Sequence, residues 1–314
     1  MKYDVAVMGL YVLDILGLPV THIPSGGALE FIDAIRLTVA GTAGGTAVDC
    51  AKLGMTTRAV GAVGHDEKGD FVLRTLQRHA IDTSLMQIID EIPTSSTILC
   101  IRPNGERPAL HNRGASDYFT VLESVYPDLF NATYLHMGGT GLLRAMDGEP
   151  TKTVLKEAKK AGCVVTFDLI GASASTAGLV EPLLPYIDYF IPSIEEARSM
   201  SGIIALEDMA HFYLERGVGT CIFTMGDHGS FIATADEHFL IPAYDVPVVD
   251  TTGCGDAYSA AFIAALHHDF DLETSARFAT AASALVATGL GSDAGIISFE
   301  DCLEKMTSLP TKRG

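Results

Sequence analysis

The chain runs to 314 residues, long enough to bury a substantial core as one large α/β domain or as two smaller ones. A hydrophobic content of 48% with 31 Gly and 13 Pro reads as globular and turn-rich and excludes a disordered chain. A formal charge of −18 argues against nucleic acid or an anionic membrane surface as the main partner. The six cysteines, Cys50, Cys100, Cys163, Cys221, Cys254 and Cys302, form no C-x-x-C pair and read as reduced core residues of a cytoplasmic protein. Asp4 and Asp14 interrupt the apolar N-terminal stretch, so it does not read as a signal peptide. No uncharged run reaches the ~18 residues that a membrane span requires.

In chain order, residues 3–10 read as a buried first strand. Asp14 follows as a lone carboxylate among aliphatics, either facing a ligand crevice or hydrogen-bonded to a turn. Residues 17–40 hold short β-like pieces with Pro19, Pro24 and Gly26-Gly27, and residues 94–113 form a second β-rich piece turned by Asn104-Gly105. Alone, these segments predict only an edge hairpin. Arg102, Arg107, His111 and Arg113 cluster around it, as a solvated hairpin or as a contact for an anionic group; Arg113, nearest the core, is the favoured contact. Residues 40–54 form a Gly-rich turn opening a helix that stops at Gly54. Residues 59–69 give a strand and loop before a helix over 70–79, and Gly114-Ala115-Ser116-Asp117 follows the hairpin.

Residues 134–139 predict the next strand, whose His136 is a satisfied core histidine or a ligand facing the crevice. An amphipathic helix over 152–161 leads to a strand over 163–167 ending at Asp168. Ser193 and Glu196 have the spacing of a capping box. A strand over 220–224 feeds the turn Met225-Gly226-Asp227-His228-Gly229, and an alanine-rich helix over 272–287 ends at Thr288-Gly289-Leu290-Gly291. No repeat, low-complexity stretch or linker divides the chain.

The most informative stretch is Asp250-Thr251-Thr252-Gly253-Cys254-Gly255-Asp256, between a β-branched run and a helix over 257–266. Amides at such a helix start lack intrahelical partners and, with the helix dipole, attract an anion. A carboxylate there competes with a bound phosphate unless its task is to take a proton. A base beside an anion hole suits phosphoryl transfer to a hydroxyl. The acidic chain would then draw positive potential from amides, a few Arg or Lys and a divalent cation.

This motif resembles the D-T-x-G-A-G-D signature of the ribokinase family of carbohydrate kinases, also called the phosphofructokinase-B type, with Cys254 for the usual Ala. Gly41, Ala47, Ala51, Leu53 and Gly54 resemble its first signature, in which Ala40 replaces a Gly and Gly45 replaces a sugar-binding Asn. Ser116 replaces the Asn of a G-A-N segment, Ser193 that of an N-x-x-E segment whose Glu is Glu196, and Leu169-Ile170-Gly171-Ala172 lacks the usual N-x-R. Residues 224–229 match T-x-G-x-x-G.

The resemblance implies a single three-layer α/β/α domain over 1–314, with a central, mostly parallel sheet and a small β-sheet lid built from about 15–40 and 94–113. It implies an ATP- and Mg2+-dependent kinase acting on a hydroxymethyl group of a sugar or sugar-like molecule. Asp256 is then the catalytic base and the amides of Gly253, Cys254, Gly255 and Asp256 the anion hole. The acceptor lies near Asp14, Gly41, Gly45, Arg113, Ser116 and His136, with Asp168 a polar group near acceptor or phosphates. The nucleotide lies along Thr224, Gly226, Gly229, Thr251, Gly253 and Gly255, beside the helix carrying Thr280 and Ser283. Glu196 supports Mg2+, and a K+ ion is expected around Asp250, Thr252, Ala287, Gly289 and Gly291. The lid is expected to form a homodimer. The rivals are a nucleoside or vitamin-type kinase of the same fold, since Gly45 and Ser116 deplete the polar sugar set, and an inactive sugar- or nucleotide-binding regulator.

Overall fold

A computed structural model describes residues 2–312. Its strands are β1 (Tyr3–Gly9), β2 (Val12–Leu18), β3 (Ala34–Ala40), β4 (Thr57–Gly64), β5 (Asp82–Ile89), β6 (Ser96–Cys100), β7 (Ala109–Asn112), β8 (Ala132–Thr140), β9 (Val164–Leu169), β10 (Tyr189–Phe190), β11 (Thr220–Thr224), β12 (Ser230–Ala233) and β13 (His238–Ile241). Nine form one sheet in the order β13-β12-β11-β10-β9-β8-β1-β4-β5, parallel from β11 to β5 with two antiparallel edge strands. The fold is α/β, with a large mostly parallel sheet and a second, four-stranded sheet.

Strands buried on both faces need apolar residues at every position, and β1 supplies them. Val5 and Val7 enter one apolar layer, Ala6 and Met8 the other. The first layer is closed by the helices Gly44–Lys52, Glu67–Arg78, Cys254–His267, Leu272–Ala287 and Phe299–Ser308. The second is closed by Glu149–Lys160, Ile194–Ser201 and Leu206–Leu214. Each fully buried aliphatic side chain in these layers is worth roughly 1.5–3 kcal/mol.

Several helices start earlier than the sequence predicts, because the cap sits upstream of the first apolar turn. Asp66 caps Glu67–Arg78 through the Gly69 amide at 2.9 Å, and Glu149–Lys160 opens with a proline in its first two positions. Cys254–His267 begins directly after Gly253, which puts Asp256 inside the first turn.

The second sheet has the order β3-β2-β6-β7. Register aligns Thr38, Asp14, Thr97 and His111 in one cross-strand row, and Leu37, Ile15, Ile98 and Leu110 in the neighbouring row. Period-two alternation sends those rows to opposite faces. The polar row faces the large sheet; Leu37, Ile98 and Leu110 are exposed.

The large sheet changes direction between β1 and β8, since the chain winds from β1 to β4 and β5 on one side and from β8 to β11 on the other. Ligands of open α/β sheets bind beyond the strand ends at such a point. Here the backbones touch: a Cβ on Gly9, at φ +139°, would lie 1.8 Å from the Gly138 carbonyl oxygen. No helix among the described residues is long and apolar enough to cross a membrane.

Asp66 also accepts from the amide and hydroxyl of Thr94, where the chain enters the second sheet. Asp66→Ala is expected to cost about 1–3 kcal/mol, from the lost cap and the orphaned Thr94 groups. Urea unfolding followed by circular dichroism checks this.

Candidate active site

The C-terminal strand ends, two Gly-rich turns and the polar face of the small sheet enclose a cavity of about 860 Å³. Its floor is the Gly253 turn. Gly253 has φ +81°, and a Cβ there would sit 2.4 Å from the Ser292 Cα, so backbone conformation and close approach both demand glycine. The turn aims the amides of Gly255 and Asp256 at the cavity, and neither has an acceptor among the described residues.

Asp256 lines this cavity, and its carboxylate has no hydrogen-bond partner among the described residues. Loss of hydration, reinforced by the charge of Asp14 and opposed by Arg107, pushes it up to about 7. Asp14, in β2 and 6% exposed, is pushed up to about 6, chiefly by burial, with a hydrogen bond from Thr97 pulling the other way. Asp168, at the end of β9, also lines the cavity and is raised well above the carboxylate range by burial and by the charges of Glu196 and Asp256. The Cys254 thiol is pushed up to about 12 by burial and stays neutral. The six cysteines are all free.

The cavity gathers most of the predicted set. Asp14, Gly41 and Glu196 line it, as do Thr224, Gly226 and Gly229. So do Thr251, Thr252 and the turn from Gly253 to Asp256, with Thr280, Ser283 and Ala287. Gly45 lies behind the wall, inside the Gly44–Lys52 helix, where a Cβ would meet the Asp256 Oδ2 at 2.4 Å. Asp250 is buried and ties the motif to the next loop, accepting from the Thr252 amide (2.9 Å) and hydroxyl (2.7 Å) and from the Gly291 amide (3.0 Å). Gly289 and Gly291 belong to that loop and do not line the cavity.

Three expected acceptor contacts are elsewhere. Arg113 lies past the end of β7, its Nε on both oxygens of Asp117 at 2.9 and 3.0 Å. Ser116 is fully buried, donating to the Tyr11 carbonyl and bonded to Ser95. His136 is a core histidine, its Nδ1 2.9 Å from Thr166 Oγ1 and its pKa pushed down to about 4 by burial. The arginine that lines the cavity is Arg107, with Thr97 and His111. Strand parity carries that signal, because 107, 109 and 111 share a face whereas Arg113 falls beyond the strand. Lys312, which lines the far side after the chain returns along Ala243 and Tyr244, left no sequence signal.

A family model for pfkB family carbohydrate kinases matches residues 3–298. The chain belongs to the pfkB family of carbohydrate kinases. It is 28% identical over 253 residues to a 2-dehydro-3-deoxygluconokinase of Bacillus subtilis (strain 168), covering 76% of this chain and 78% of the relative. It is 26% identical over 284 residues to a ribokinase of Staphylococcus aureus (strain COL), covering 88% and 90%. An E. coli protein solved in complex with ATP and Mg2+ superposes with a TM-score of 0.83 at 21% identity, covering 97% of this chain and 99% of that one, a likeness that speaks for the fold.

In this carbohydrate kinase the enclosed carboxylate carries a stability signature. Its folded pKa, about 7, lies above the reference 3.8, so the ionised form destabilises the fold increasingly as pH rises from about 4 to 7. Asp256→Asn should therefore stabilise the protein at pH 8 by about 1–4 kcal/mol, with the gain vanishing towards pH 4. Denaturant titrations at the two pH values measure it.

Proposed function

We propose that the chain transfers the γ-phosphate of ATP to a hydroxymethyl group of a sugar-like acceptor, with the whole chain acting as one kinase domain under the small-sheet lid. The observation that carries this is Asp256: an unpaired carboxylate poised near pH 7, beside free helix-start amides, in the cavity that also holds Asp14. Asp14 accepts hydrogen bonds from acceptor hydroxyls and orients the reacting one. Asp256 takes its proton as the new O–P bond forms, the bond to the β-phosphate oxygen breaks and ADP leaves. The amides of Gly255 and Asp256 meet charge on the phosphoryl oxygens. The turn at Gly226 and Gly229 and the wall at Thr280 and Ser283 take the nucleotide.

Among the described residues no group of three or more His, Cys, Asp or Glu is placed to hold a metal ion. That suits Mg2+ arriving on the nucleotide phosphates, where it supplies charge neutralisation. Glu196 bonds the Ser193 amide and hydroxyl at 2.9 Å and the Ala172 amide at 3.3 Å, so its role towards Mg2+ runs through water. At the expected K+ position the Ala287 carbonyl accepts from the Val249 amide and the Leu290 carbonyl from Arg36, and the proposal gives K+ no step. Free cysteines suit a cytoplasmic setting.

Asp256→Asn is expected to lower kcat by at least ~10³-fold while calorimetry still detects ATP binding. In the wild type, kcat/KM should fall about tenfold per pH unit below an apparent pKa near 7, as the base is protonated. A flat profile from pH 5 to 8 would remove Asp256 from the role.

We also propose a homodimer through the outer lid face, where Leu37, Ile98 and Leu110 stand exposed in one row without a charge among them. Light scattering should give twice the protomer mass for the wild type and the protomer mass for Ile98→Lys.

A further inference from the structure

We propose that the acceptor carries a carboxylate and that Arg107 binds it, an inference that rests on the kinase reading above. Alternation along the hairpin puts Arg107 on the face of Ala109 and His111, opposite Leu99 and Thr97, and all of them line the cavity. Thr97 pairs in register with Asp14, so Arg107 stands on the wall that receives the acceptor.

The other arginines of this hairpin are already committed, Arg102 to Glu106 at 2.9 Å and Arg113 to Asp117 at 2.9 Å. Arg107 has no hydrogen bond or ion pair among the described residues. Its charge nonetheless reaches into the site, lowering the proton affinities of Asp14 and Asp256. A neutral polyol needs no such cation. An anionic acceptor does, because it must approach a wall of carboxylates in a chain of formal charge −18.

The charge count selects the kind of anion. His111 is held towards its neutral form by burial and by Arg113, which leaves one guanidinium on this wall. One planar fork matches one carboxylate in two parallel hydrogen bonds, whereas a phosphate dianion calls for a second cation. The acceptor class is thus a polyhydroxylated acid, an aldonic or 2-keto-aldonic acid, with its carboxylate at Arg107 and its terminal hydroxymethyl group at Asp256.

The test measures ADP release with ATP and matched acceptors: hexonates and 2-keto-hexonates, the corresponding neutral aldoses and alditols, and hexose monophosphates. The wild type should favour acids by at least ~10-fold in kcat/KM. Arg107→Gln should lower kcat/KM for acids by about 10- to 100-fold and for neutral sugars by less than about twofold, with Arg107→Lys between. Arg107 is exposed and unpaired, so both variants are expected to keep the wild-type circular dichroism spectrum. A wild type that prefers neutral sugars or sugar phosphates overturns the proposal. So does an equal loss for charged and neutral acceptors, which would assign Arg107 to the transferring phosphate. Either result leaves the kinase reading standing; failure of the wild type to transfer phosphate to any acceptor removes both.

Discussion

One carboxylate held away from bulk water without a partner is the constraint on which the site depends. Asp256 must be ionised to accept a proton, yet its surroundings favour the protonated form. The conflict is tolerable because the group sits in the first turn of the Cys254–His267 helix, where the dipole favours negative charge. An ion pair would resolve the conflict and destroy the base. The described structure avoids one: Arg107 acts at a distance, while Lys52 and Arg36 are spent on Asp293 at 3.2 and 2.7 Å. Stability given up at a reactive group and recovered in the packed layers is a common pattern in enzymes.

The architecture explains how two motifs more than 200 positions apart meet at that carboxylate. The switch between β1 and β8 opens the sheet at its C-terminal edge, and glycines let the crossing backbones close below van der Waals distance for any side chain. Gly41, at φ +82° against the Leu10 carbonyl, starts the turn that leads into Gly44–Lys52. That helix then brings Gly45 against Asp256, where any side chain would displace the carboxylate. A position expected to have lost a polar contact is thus a steric allowance. Thr46 lies beside it, its hydroxyl bonded to the Thr42 carbonyl at 2.7 Å and to the Asp256 carbonyl at 3.3 Å.

What was legible in the sequence follows from this. Turns that require positive φ or close backbone approach write themselves as glycine, so the Gly253 and Gly41 turns could be read directly. Asp14 could be read because a carboxylate among aliphatics demands a reason. Side-chain direction was less legible. Ser116 and His136 lie near the cavity in sequence logic, but Ser95 and Thr166 claim them in the interior, and those partners come from distant segments. Arg113 was chosen for its nearness to the core, whereas the decisive quantity was strand parity, which requires knowing that β7 ends at Asn112. The loop contacts of Arg36 span about 250 positions and no local pattern announces them.

The small sheet has to satisfy opposite demands on its faces. Its inner row of Thr38, Asp14, Thr97 and His111 offers hydrogen-bonding groups in fixed register, while the outer row of Leu37, Ile15, Ile98 and Leu110 is aliphatic throughout. A lone four-stranded sheet with one polar and one apolar face has little core of its own. Its anchorage comes from the body: Asp66 on Thr94 at one entry, and Ser292 bonded to the Val39 carbonyl at 2.8 Å with Arg36 on the same loop at the other. Those ties land on either side of the cavity, one by the acceptor wall and one by the loop that follows the Leu272–Ala287 helix. Phosphoryl transfer to an alcohol must exclude water as a competing acceptor, and a lid held at both sides of the reacting centre provides that exclusion.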